Sequence, residues 1–340
     1  MNKLLTTTWK SSLANISFLL LFASEFTYYL LILQTGIVEY HHSLLTEIWM
    51  VPAGGMLGIL LSVSLYKERQ WLMPFLLLSQ LLLSFSYASA NGLELFGLGL
   101  ISGLTAPMLI YRIQNLWLAV VALALSYAFG TATFHVAAIE RTDIALFLTL
   151  IALLSSFFVQ MKIIKRVEMK NVSLYTMASV FFWLLLDAAL FETLSRDSFM
   201  HLWGESVFTP VIIVSHLVGL AVAYRLRAWR HTDLALLGLF VLTYTVYSAG
   251  NPVALSLVYP FVISYYNVII LNKLRTLHYL PLAVISLSLW GASGLGLFIA
   301  LSHTFLIAWI ILGMLALMTA FKTFAVNLFP GFFPSITFKG

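Results

Sequence analysis

The residues that can do chemistry in this chain are few and far apart. Three acids, Glu25, Asp187 and Glu192, fall inside long apolar runs, and no lysine or arginine lies within those runs. A charged side chain at the centre of a membrane helix costs on the order of 2.5–3.5 kcal/mol on insertion scales, so such acids usually serve a function. With no internal cation to pair with, each can exchange a proton with a cavity that fills and empties of water, which is proton-coupling chemistry. His216, nine residues before Arg225 in a later apolar run, adds an imidazole, a side chain that titrates near neutrality. The plain alternative for all four is structural: a polar group hydrogen-bonded to the next helix.

Aromatic and amide side chains form a second set. Tyr28 and Tyr29 follow Glu25 by three and four residues, and Trp183 precedes Asp187 by four. Helical spacing puts each on the face of its acid. Tyr259, Tyr265, Tyr266 and Asn267 crowd a later run, with Trp290 in the next and Tyr127 in an earlier one. An aromatic wall beside acids suits an organic cation or an amphipathic solute, although 15% aromatic content means that most rings pack or face lipid. Anionic cargo is usually gripped by arginine or lysine. With neither at mid-membrane, a cationic, neutral or metal-chelated solute fits better.

Metal and nucleophile chemistry have less behind them. His41, His42, His135 and His201, with His303, fall in loops on one side and form a candidate outer metal cluster of imidazole and carboxylate ligands. They come from different loops, and no H-x₃-H spacing occurs. Zero cysteines remove disulfides, thiolate metal sites and cysteine nucleophiles. The run Gly291-Ala-Ser293-Gly294 looks like the serine motif of intramembrane proteases, but His303 lies ten residues on, about 15 Å along a helix. Ser293 therefore reads as part of a small-residue packing stripe. The chain reads as no enzyme, and nothing in it requires a cofactor.

The elements that carry these residues follow from composition. Of 340 residues, 61% are hydrophobic and 9% charged, against about 25% charged in soluble domains. So few charges cannot cover a water-facing surface, and the chain reads as an all-α polytopic membrane protein. The net charge of +5 is no nucleic-acid signature, because the basic residues sit in short clusters between apolar runs. The first run, Leu13 to Gly36, is too long for a signal peptide and lacks a small-residue cleavage site. A helix needs roughly 20 apolar residues to cross, which predicts twelve spans: 13–36, 47–66, 71–89, 94–111, 115–138, 144–161, 173–194, 206–224, 233–249, 252–272, 279–301 and 303–326. With both termini cytoplasmic, 16 of the 18 Lys and Arg residues fall inside, and only Arg141 and Arg196 fall outside, as the positive-inside rule asks.

Landmarks repeat along the chain. Lys10 and Lys170, Arg69 and Arg230, Arg112 and Lys273, Gly58 and Gly219, and Glu25 and Asp187 are each 160–162 residues apart. This predicts two six-helix bundles, 1–160 and 173–340, joined by a basic linker at 161–172. The layout resembles the major facilitator superfamily of transporters. Gly58, Ser62, Lys67 and Arg69 follow that family's loop motif between helices two and three, with Ser62 where the family has an acid. Gly219, Ala223, Arg225 and Arg227 form the second copy, also without the acid.

The resemblance implies a monomeric secondary active transporter of the cytoplasmic (inner) membrane. Two halves would alternate access to a cavity near the bilayer midplane, with lipid, a small solute and protons as partners and no nucleic acid. It further implies proton coupling at Glu25, Asp187, His216 and Glu192, and a pocket of Tyr28, Tyr29, Tyr127, Trp183, Tyr265, Tyr266, Asn267 and Trp290. Pro52, Pro107, Pro210, Pro252 and Pro260 mark expected flexing points. The alternatives are a non-transporting receptor or assembly factor on a transporter fold, or a transition-metal transporter.

Overall fold

A computed structural model describes residues 2–36, 49–66, 71–159, 174–195, 200, 202–203 and 207–328. Among these residues there are twelve α-helices and no strand. They are α1 (Asn2–Tyr28, running on as a π-helix over Tyr29–Gly36), α2 (Met50–Leu65), α3 (Leu72–Ser84), α4 (Gly92–Tyr111), α5 (Leu116–Thr133) and α6 (Thr142–Ser156), followed by α7 (Leu174–Leu194), α8 (Thr209–Leu226), α9 (Thr232–Ser248), α10 (Pro252–Leu274), α11 (Tyr279–Leu301) and α12 (Leu306–Leu328). Each predicted segment falls on one of these helices, with ends shifted by several residues. The segment predicted over 71–89 is shorter, because α3 stops at Ser84 and a 3₁₀ turn takes Tyr87–Ser89. The linker at 161–172 and His41, His42 and His201 lie outside the described residues.

Seven helical stretches are long and apolar enough to cross a membrane: Ser11–Gly36, Gly92–Tyr111, Leu116–Thr133, Leu174–Leu194, Thr209–Leu226, Pro252–Leu274 and Tyr279–Leu301. Large apolar side chains such as Leu82, Phe147, Leu317 and Phe321 face outward, while Gln80, Thr149, Ser264 and Asp187 are buried. That is the build of a polytopic membrane protein, with its polar groups satisfied inside the bundle.

Local signals set several helix starts. Asn91 and Glu94 form a reciprocal capping box at α4, and Asn115 and Asn251 accept backbone N–H bonds at the starts of α5 and α10. Gly250 takes a positive φ of 65° just before Asn251, a conformation that glycine enters without a Cβ clash. Of the five prolines, Pro107 and Pro260 lie inside helices, where each removes a ladder bond. The others sit near helix starts, where no bond is lost.

The helices pair selectively. In the first half α1 packs on α5 and α6, α2 on α4, and α3 on α4 and α6. In the second, α7 packs on α11 and α12, α8 on α10, and α9 on α10 and α12. Across the seam α2 meets α11 and α5 meets α8. The α2–α4 contact is backbone on backbone: a Cβ at Gly54 or Gly58 would strike the Phe96 or Leu100 carbonyl, and one at Gly99 or Gly103 the Val51 or Gly55 carbonyl. Glycines four apart on both helices permit this approach.

Two features were not legible as such in the sequence. Arg141, expected in an outer loop, is 1% exposed. Its guanidinium donates to the carbonyls of Phe134 and Val136 at the end of α5 and to the Leu31 carbonyl and Thr35 hydroxyl of the π-helix. It breaks the charge pattern because it satisfies carbonyls that the end of α5 and the π-helix leave open. At the end of the bundle where α8 and α10 carry their basic residues, Tyr66 and Tyr279 stack with ring centres 3.8 Å apart, and Tyr111 meets both edge-on. Across the seam, Trp117 packs on Tyr224, with Arg227 over the Tyr224 ring. Ring contacts thus lie at this end on both sides of the seam.

Candidate binding cavity

Among α1, α5, α7, α8, α10 and α11 lies a cavity of about 110 Å³, room for several waters or a small solute. α1 supplies Phe26 and Tyr29, α5 Tyr127, α7 Asp187, α8 His216, α10 Tyr266 and Asn267, and α11 Ser293. At the end away from the basic residues, Trp203 rests on Phe134, Phe191 and Tyr259, with ring centres 5.7, 5.2 and 6.0 Å away.

Asp187 is the one acid among the described residues that line this space. Its Oδ1 accepts the Tyr259 hydroxyl at 3.0 Å, and its Oδ2 accepts the Tyr266 hydroxyl at 2.6 Å. Tyr259 also reaches the Asp187 carbonyl at 3.1 Å, which ties α10 to α7. Facing it, the His216 ring stacks on Tyr127 with centres 4.2 Å apart and planes within 4°. His216 Nδ1 lies 2.8 Å from the Ser264 hydroxyl. The Tyr127 hydroxyl accepts from Asn267 Nδ2 at 2.7 Å. Carboxylate, imidazole, phenol and amide therefore meet across the seam with few polar atoms left over.

A second, smaller cavity of about 40 Å³ adjoins it and shares Tyr29, Gln34 and Ser293. Glu192 and Trp290 line this one. Tyr29 packs edge-on against Trp290 at 5.9 Å and lies 3.4 Å from the Ser293 hydroxyl, so it forms the wall between the two spaces. It is also the first residue of the π-helix, a form often found where a helix lines a functional site.

The structure brings Tyr29, Tyr127, Asp187, His216, Tyr266 and Asn267 together at the main cavity. Four others on the expected roster lie elsewhere. Glu25 is buried between α1, α3 and α6, where its Oε1 accepts Gln80 Nε2 at 3.0 Å. Tyr28 bonds Ser84 of α3 at 2.7 Å, because consecutive helical residues diverge by about 100°. Tyr28 and Tyr29 thus serve different faces. The same divergence separates Tyr266 from Tyr265, which stacks on Phe261 of its own helix. Trp183 stacks on Phe240 of α9, with ring centres 5.2 Å apart.

Sequence reasoning missed Gln34, Trp203 and Ser264, and it assigned Ser293 to packing. Polar letters in apolar runs were the available signal, and Gln80 carried the same one. Among the described residues no group of three His, Asp or Glu is placed to hold a metal, and His135 is exposed. No family model and no curated protein matches the chain.

Proposed function

We propose that the chain is a secondary transporter of major facilitator type. On this reading it has twelve spans, two six-helix halves with both termini on the cytoplasmic side of an inner membrane, and alternating access to the cavity at Asp187. The pairing of helices supports the repeat. Each pairing named above for α1–α6 recurs among α7–α12 with every helix number raised by six, and the seam contacts α2–α11 and α5–α8 exchange under the same shift.

The observation that carries the reading is the cavity itself. It lies on the seam, holds a buried carboxylate, and is flanked by ring clusters toward both ends of the bundle. With the ring clusters toward the two ends acting as its closures, the site is reached by opening one end at a time. Protons are exchanged at Asp187, with His216 across the cavity and Glu192 one to two turns along α7. A receptor or scaffold has no need of such a sheltered polar space.

The absence of cysteine makes the test direct. A Ser293→Cys variant in right-side-out and in inverted vesicles is treated with a membrane-impermeant maleimide. Labelling from both sides is the expected result. Labelling from one side only, or from neither while a permeant maleimide reacts, would overturn alternating access.

A further inference from the structure

We infer that the cavity takes a small organic monocation, an ammonium-bearing solute, and that its positive group replaces a proton on Asp187, one for one. This deepens the transporter reading and rests on it for transport, though not for binding.

Charge comes first. Among the described lining residues, Asp187 is the one carboxylate, and there is no lysine or arginine. The nearby guanidinium, Arg141, is turned onto the carbonyls of Leu31, Phe134 and Val136. An anion would find no lysine or arginine in the lining to neutralise it, and a dication would leave one charge unpaired against a single carboxylate. A monocation leaves neither.

Ring geometry points the same way. Phe26, Tyr29, Tyr127, Phe134, Trp203 and Tyr266 enclose the volume beside Asp187, and aromatic faces attract ammonium groups. The phenols of Tyr259 and Tyr266 each take one lone pair of the carboxylate, which leaves acceptor capacity on both oxygens for a cation. The same bonds hold the carboxyl plane still, so the site is formed before the solute arrives.

Exchange follows from there being a single carboxylate. In the proposed exchange the acid carries a proton while no cation is present, as an unpaired carboxyl does in an apolar interior; when the ammonium seats, the O–H bond breaks, the proton leaves to water and the carboxylate pairs with the cation. Proton and cation together would leave the ammonium opposite a neutral acid. The other ionisable groups facing Asp187 are Tyr29 from α1, Tyr127 from α5, His216 from α8, Tyr244 from α9, Tyr259 and Tyr266 from α10, and Glu192 on its own helix. α11 adds only the Ser293 hydroxyl to the cavity. His216 is stacked and bonded to Ser264, and the phenols act as donors or ring faces, so Asp187 is the group left to change charge.

The test uses the purified full chain in detergent, with choline and tetramethylammonium as probes. Controls are acetate and 3,3-dimethylbutanol, the uncharged isostere of choline. Quenching of tryptophan fluorescence and thermal stabilisation report binding, and a pH dye in weak buffer counts protons. Expected results are binding of the two cations, none of acetate, at least about tenfold weaker binding of the isostere, and release of about one proton per cation bound. Asp187→Asn should lose at least about tenfold in choline affinity and release no proton. The isostere comparison is made on the unaltered chain, so it stands even if that variant folds poorly.

Equal binding of choline and its isostere would overturn the inference, and so would full affinity in Asp187→Asn or binding without proton release. The two readings fail separately. Cation binding without two-sided maleimide labelling removes transport and keeps the site. Two-sided labelling without cation binding removes the site and keeps transport.

Discussion

Glu25 on α1 and Asp187 on α7 stand 162 residues apart, and they differ in what surrounds them. Glu25 accepts the Gln80 amide, whose nitrogen also reaches the Thr149 hydroxyl at 3.3 Å. One carboxyl thereby joins α1, α3 and α6, and it lines neither of the two cavities described above. Asp187 accepts two phenols from α10 and presents its remaining face to the space on the seam. Two acids of similar cost to bury have become a tie between helices in one case and a carboxyl lining a cavity in the other. What decides the role is the neighbour. A short amide fills the gap next to Glu25, whereas tyrosines reaching across from α10 hold Asp187 from one side and leave the other open.

Three experiments can break or sharpen this contrast. The largest effect is on cation affinity, where Asp187→Asn should lose at least about tenfold and Glu25→Gln no more than about twofold. Equal losses in isothermal titration would mean that both acids belong to one site. Next comes stability. Glu25→Leu strips the Gln80 amide of its carboxylate and should cost about 1–3 kcal/mol in detergent unfolding, the price of a buried donor left short. Adding Gln80→Leu should recover part of that loss, and a double-mutant cycle with no coupling would show that the tie does not exist. The smallest effect belongs to Tyr266→Phe and Tyr259→Phe. Each removes one hydroxyl bond inside the membrane and should weaken choline binding about threefold, in line with roughly 0.6 kcal/mol per such bond. If either phenylalanine variant bound more tightly, the phenols would be competing with the cation rather than preparing its site.

How much of this was legible before the fold was known depended on the kind of signal. The twelve segments were readable because apolar runs and basic clusters alternate. The acids stood out because an acid in such a run is costly. The helical faces were not readable. Tyr28 and Tyr29, or Tyr265 and Tyr266, are neighbours in sequence and part company in space. These helices are apolar on nearly every side, so no polar stripe fixes their rotation in advance, and the π-helix from Tyr29 to Gly36 shifts the phase again. Arg141 gave a misleading signal of its own, since its basic letter suggested a surface loop and its partners are buried carbonyls. Ser293 was set aside with the glycines around it, yet it lines both cavities.

The stacked tyrosines at the basic end bear on how the protein should respond to its surroundings. Tyr66, Tyr111 and Tyr279 pack ring against ring at that end. Mobile ions screen charges over about 8–10 Å at physiological salt, but they have no such hold on stacked rings. A closure of this kind keeps the same strength in dilute and in concentrated electrolyte. The contact among these three rings is therefore set by packing, and on the transporter reading a several-fold change of salt should disturb it less than the contact of the exposed Arg227 with Tyr224.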